Sequence, residues 1–248
     1  MPDRKLMAHL VAGYPDLETS RDIALALAEG GADFLEIQFP FSDPSADGPR
    51  IERACHAALA AGFTVSSGFE LAGELAGKLA IPLFIMTYAS LATAKGSGDF
   101  ATKAAAAGVR GIIVPDLPPD YDEGLYDAGG RAGLAVVPVV APGISEARLD
   151  LLRRLRPEYV YTALRLGVTG RESRLDSGNR EYLARIGSLG AKIVAGFGVR
   201  SSEQFLALSG QVHAVAVGTF FLDCLEKAGG KPAALIRAVA GLKGGGFR

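Results

Sequence analysis

Of the three acidic side chains in the stretch FLEIQFPFSDPSADGP, residues 34 to 49, two pose a question: Glu36 within an apolar run and Asp47 in a loop of turn-forming residues. Read as a strand, the run alternates with period 2, so Leu35, Ile37 and Phe39 share one face and Glu36 shares the other with Gln38. A carboxylate cannot pack beneath helices without a partner, so Glu36 and Gln38 are expected to face the inside of an enclosing sheet near its mouth. Partial desolvation there raises a carboxyl pKa and suits it to moving protons near neutral pH. Two readings of Glu36 stand: such a proton shuttle, or a carboxyl that only hydrogen-bonds its neighbours. Asp47 has its own alternatives, since in SDPSADGP an Asp also serves a turn or caps the helix starting near Arg50.

Further candidates lie late in the chain. GFGVRSSEQF and AVAVGTFFLDCL each place glycine at a strand-to-helix turn, Gly198 in the first and Gly218 beside Thr219 in the second. Glycine lets backbone N–H groups approach an anion, and helix N-termini favour negative charge, so both turns are candidate phosphate contacts. Glycine at such turns also serves packing alone. Tyr161 and Tyr159 share a strand face, and the polar segment LGVTGRESRLDSGN, residues 166 to 179, suits a lid closing over substrate or a plain surface loop. The three histidines, His9, His56 and His213, show no consistent spacing or carboxylate partner and receive no catalytic role.

The elements that must position these residues repeat. Eight short apolar runs, at 6 to 12, 32 to 39, 81 to 88, 111 to 116, 134 to 141, 159 to 164, 192 to 198 and 214 to 219, alternate with helical patterns such as DIALALAEGG and ARLDLLRRLR. Strand followed by helix throughout predicts a parallel sheet covered by helices. Eight units in about 250 residues fit a closed (β/α)8 barrel better than a doubly wound sheet. No linker divides the chain, so residues 1–248 are expected to form a single α/β barrel domain, with chemistry on the loops after the strands.

Composition narrows the partners. With 26 basic and 27 acidic residues, net charge −1 and no basic cluster, neither nucleic acid nor an anionic membrane is favoured. Cys55 and Cys224 lack metal-ligand spacing, which suits a reducing cytoplasm and no metal, and no run reads as a signal or membrane segment.

Together LVAGYPDLETS, GADFLEIQFPFSDPSADGP, AAAAGVRGIIVPDLPPD, YVYTALRLGVTG and GFGVRSSEQ resemble, in order and spacing, the α subunits of tryptophan synthase. The resemblance implies a TIM barrel and retro-aldol cleavage of indole-3-glycerol phosphate to indole and glyceraldehyde 3-phosphate. It implies no cofactor in this chain, and a β subunit carrying pyridoxal phosphate in an α2β2 complex. Glu36 then matches the acid/base that protonates indole C3 and takes the glycerol hydroxyl proton, and Asp47 the residue that holds the indole N–H. Tyr161 matches a substrate-pocket tyrosine, and Thr169 the lid threonine that meets Asp47. Ile113 and Phe197 would line the pocket, and Gly198, Gly218 and Thr219 would bind phosphate, with Thr for the usual Ser. Asp116 and the loop at 40 to 49 match surfaces facing the β subunit.

The sequence also departs from the family pattern. Gln38 stands where Gly is usual, so its amide should fill space or hydrogen-bond Glu36, and Ser90 and Thr87 replace an Asn and a Gly or Met. The helix that plugs the barrel base is short or absent, leaving strand-bottom apolar residues to be covered by a partner or by self-association. These departures keep open a weakened barrel that mainly binds and activates a β partner. A related sugar-phosphate isomerase is disfavoured, because strands one and five end in VAGYPD and PVVAPG without paired catalytic residues.

Overall fold

The computed structural model describes residues 4–164, 177–196 and 198–244. Its strands are β1 (Lys5–Val11), β2 (Phe34–Gln38), β3 (Leu83–Met86), β4 (Gly111–Ile113), β5 (Ala135–Val137), β6 (Val139–Val140), β7 (Tyr159–Ala163), β8 (Lys192–Gly196) and β9 (Ala214–Val217). All pair in parallel within one sheet, in the order β5-β4-β3-β2-β1-β9-β8-β7-β6. The two ends of that order, β5 and β6, are consecutive pieces of one run, so the sheet curls into a nearly closed barrel. The expected fifth strand is therefore present but split. Pro138 has no N–H to donate, and only its carbonyl joins the wall, accepting from Tyr161 N at 2.9 Å.

Around the barrel run α1 (Leu17–Glu29), α2 (Pro49–Ala60), α3 (Val65–Lys78), α4 (Ala89–Thr93), α5 (Ser97–Ala106), α6 (Leu125–Arg131), α7 (Glu146–Leu155), α8 (Ser177–Gly187), α9 (Ser202–Ser209), α10 (Thr219–Lys227) and α11 (Ala234–Leu242). Several start on side-chain caps that satisfy a first-turn N–H. Asp16 accepts from Thr19 N, Thr64 and Ser67 form a reciprocal box, Ser145 accepts from Arg148 N, and Ser201 from Gln204 N. No described helix is long and apolar enough to cross a membrane.

The barrel wall separates two cores. Leu35, Ile37 and Phe39 lie outside it beneath the helices, while Met7, Phe34, Phe84, Met86, Ile113, Val137, Tyr159, Val194 and Ala216 fill the inside. At the N-terminal ends of the strands the interior is closed by rings. Phe34 meets Phe84, Tyr159 and His213 at centroid distances of 6.2, 6.4 and 5.9 Å, and Phe84 meets Tyr159 at 5.3 Å. Such edge-on contacts add to burial. With a partner or self-association expected to cover the base, the chain itself already buries Phe34, Phe84 and Tyr159 there. Outside this plug, Lys192 lies 5.0 Å over the Tyr159 ring and pairs with Glu158 at 3.0 Å, and Glu158 also pairs with Arg110.

Candidate active site

At the opposite end, the strands deliver polar groups to one cavity. Alternation along β2 turns Glu36 and Gln38 inward, as expected, and both are buried. The parallel register pairs His9 with Glu36 and Glu36 with Phe84 across the wall, so His9 stands level with Glu36 on the neighbouring strand. His9, Glu36, Gln38, Asp47, Ile113, Tyr161, Gly198, Gly218 and Thr219 all line this cavity, with Met86, Val139 and Val199 supplying apolar wall.

Glu36 is 4 % exposed, and its Oε2 has no hydrogen-bond partner. Burial, and secondarily the nearby Asp47, push its pKa from an ordinary 4.5 to about 8. The carboxyl thus keeps its proton at neutral pH and can give it up to a ligand. That is the setting in which a carboxyl works as a general acid.

Asp47 is held rather than free. The segment from Phe39 to Gly48 returns it over the mouth, where its Oδ2 accepts from Gln38 Nε2 at 2.6 Å and from the Tyr88 hydroxyl at 2.7 Å. It does not cap α2: that helix starts from Gly48 with Pro49 in its first turn and no side-chain cap. Burial raises the Asp47 pKa, while His9, Tyr88 and Gln38 oppose the shift by favouring the anion.

Gln38 does not use its amide on Glu36, as one reading of the sequence had it. Its Nε2 serves Asp47, and its Oε1 lies 2.7 Å from His9 Nε2. His9, to which the sequence assigns no catalytic role, therefore lines the site. The available signal was its parity with Met7 on β1; its partner, supplied across the wall by Gln38, required the register. Tyr88, which anchors Asp47, was not singled out.

Of the remaining candidates, Ile113 is buried in the wall, and the half-buried Tyr161 has a phenol held well above its ordinary pKa by burial and by Glu36. Tyr159, on the same face one layer lower, belongs to the aromatic plug. Gly198 has φ of +93°, a left-handed backbone that favours glycine. Gly218 precedes α10, and Thr219 opens that helix, buried against the cavity. Thr169 and Phe197 lie outside the described residues. Asp116 is exposed, and its carboxylate accepts from Ala89 N at 2.8 Å, at the start of α4.

Comparison with known proteins shows the family of the chain. The family model for the tryptophan synthase alpha chain matches residues 2–243. The alpha chain of Helicobacter hepaticus is 39% identical over 233 residues, covering 91% of this chain and 87% of that one. That of Desulforapulum autotrophicum is 37% identical over 225 residues, covering 90% and 89%. Among solved structures, tryptophan synthase of Mycobacterium tuberculosis superposes with a TM-score of 0.88 at 31% identity, covering 96% of this chain and 90% of that one. The tryptophan synthase complex of Pyrococcus furiosus gives 0.88 at 28% identity, covering 98% and 99%. The chain belongs to the tryptophan synthase alpha chain family.

Proposed function

We propose that Glu36 and Asp47 carry the chemistry of this family in the cavity described above. The chain is a carbon–carbon lyase of tryptophan biosynthesis, cleaving indole-3-glycerol phosphate to indole and glyceraldehyde 3-phosphate. One observation carries the assignment of roles: a buried, proton-holding carboxyl with an unpartnered oxygen, facing a second carboxyl that other side chains fix in place.

Glu36 in its acid form donates its proton to indole C3, giving a ring cation with C3 tetrahedral. Asp47 accepts a hydrogen bond from the ring N–H and balances that charge. The Glu36 carboxylate then takes the proton of the hydroxyl next to the scissile bond. The bond between C3 and the side chain breaks, its electrons restore the aromatic ring, and the oxygen becomes the aldehyde carbonyl. Glu36 ends as it began, protonated. Tyr161 and Ile113 bound the ring pocket; the family roles of Phe197 and Thr169 fall on residues outside those described. Gly198, Gly218 and Thr219 take the phosphate, supported by the left-handed turn at 198 and the helix start at 219.

We read residues 1–248 as one barrel domain, supported by the single sheet and the family match across it. The family implies a β subunit as partner, and we place Asp116 and the loop at 40 to 49 at that contact. Pyridoxal phosphate would reside in the partner, in an α2β2 assembly. A cytoplasmic setting accords with two free thiols. The test is release of indole from indole-3-glycerol phosphate by the purified chain, alone and with a β subunit. Slow release that the partner accelerates is expected; no release under either condition would refute the assignment.

A further inference from the structure

His9 is not used by the chemistry above, yet it is 6 % exposed in the cavity wall, and its Nδ1 has no hydrogen-bond partner. The chain Asp47–Gln38–His9 fixes which of its nitrogens carries hydrogen. Asp47 Oδ2 accepts, so Gln38 must turn its NH2 group toward it. The amide oxygen consequently faces His9, and the hydrogen of that 2.7 Å contact must sit on His9 Nε2. Burial holds the ring's pKa below its ordinary value despite the attraction of Asp47, so the ring is neutral and Nδ1 is a bare acceptor. Nδ1 points toward the backbone of Gly218. A β-carbon added there would lie 2.8 Å from Nδ1, so only glycine leaves the ring its place.

We propose that His9 is a specificity-determining residue whose Nδ1 accepts a hydrogen bond from a hydroxyl of the ligand's phosphorylated three-carbon chain, with Gln38 as the positioning residue that sets its tautomer. The inference rests on the reading that this cavity takes indole-3-glycerol phosphate, its ring at Asp47 and its phosphate at Gly198 and Gly218. His9 lies between those ends, at the level of Glu36 and against Gly218, where the hydroxyl-bearing carbons must run. A bare acceptor without a partner disfavours ligands that bring no donor, because burying it unpaired costs binding.

The test is calorimetric titration of the full chain with sn-glycerol 3-phosphate and, separately, inorganic phosphate. His9→Phe keeps a ring of similar size and removes the acceptor. Its affinity for glycerol 3-phosphate should fall about tenfold while that for inorganic phosphate stays level. In turnover, KM should rise about tenfold with kcat nearly unchanged, because the contact is made in both ground and transition states. Equal loss for both titrants, or loss for neither, overturns the role of His9. If the unaltered chain binds neither titrant, the reading of the cavity itself fails, and the inference with it. Should His9→Phe not fold, ring nitrogen NMR of the unaltered chain decides. A bare Nδ1 that shifts on adding glycerol 3-phosphate, but not on adding phosphate, supports the proposal; a protonated or unresponsive Nδ1 overturns it.

Discussion

The two ends of the barrel interior are built from the same strands and solve opposite problems. At the base, Phe34, Phe84, Tyr159 and His213 pack ring against ring. At the mouth, β2 carries Glu36 Oε2 and the neighbouring β1 carries His9 Nδ1, each buried and without a partner. None of the four base residues is left with such an atom among the described residues. Unpaired buried polar groups cost stability, so the mouth draws on what the base supplies. The lesson is that one cylinder can separate holding itself together from binding, by layer rather than by domain.

Breaking the comparison at the mouth should show most in rate. Glu36→Gln is expected to lower kcat for indole release by about 10²- to 10⁴-fold, while leaving the unfolding midpoint at low pH essentially unchanged. A variant that still turns over normally would remove Glu36 from the mechanism. Breaking it at the base should show in stability: Phe34→Ala should cost about 3–5 kcal/mol in denaturant unfolding, with kcat of the folded fraction near normal. A loss below about 1 kcal/mol would mean the plug is not what closes the barrel.

Acidity sharpens the contrast. Glu36 has a folded pKa of about 8 against an ordinary 4.5, so it binds its proton more tightly when folded. The stability this lends is full below about 4.5 and is lost as pH climbs through 8. Asp47, also raised, acts with the same sign, whereas His9, lowered, weakens the fold only as pH falls below its ordinary 6.5. Between pH 6.5 and 8 the chain should therefore lose stability. The difference from Glu36→Gln should move in favour of the variant by at most about 1.4 kcal/mol per pH unit, read from unfolding midpoints in series. A constant difference would contradict the burial of that carboxyl. The smallest effect belongs to the exposed rim of the base: Lys192→Ala, which removes one exposed ion pair and a ring contact, should cost about 1 kcal/mol or less.

Much of this was legible in the chain. Period 2 along FLEIQF gave Glu36 and Gln38 their inward face, and repeated strand and helix patterns gave the barrel, because both depend on local spacing. What escaped depended on register. His9 and Gln38 meet across neighbouring strands, and no local pattern says which residue of one strand lies level with which of the next. The aromatic plug is assembled from residues near the starts of four distant strands, each ordinary in its own run. Asp47 was undecidable for another reason: in SDPSADGP the same residue types make turns, caps and sites, and only the return of the loop to Gln38 and Tyr88 separates them.

Pro138 has a consequence beyond the split strand. Between Val137 and Val139 the wall is continuous by covalent chain but lacks one amide hydrogen, and that joint falls between two functional inventories. The upstream part supplies Glu36 and the side chains linked around it: His9, Gln38, Asp47 and Tyr88. Everything downstream supplies Tyr161 and the glycine turns of the proposed anion end. Severing the gene at this joint would yield one fragment with the acid and base and another with the anchor, neither able to complete the cavity until the two halves reassociate.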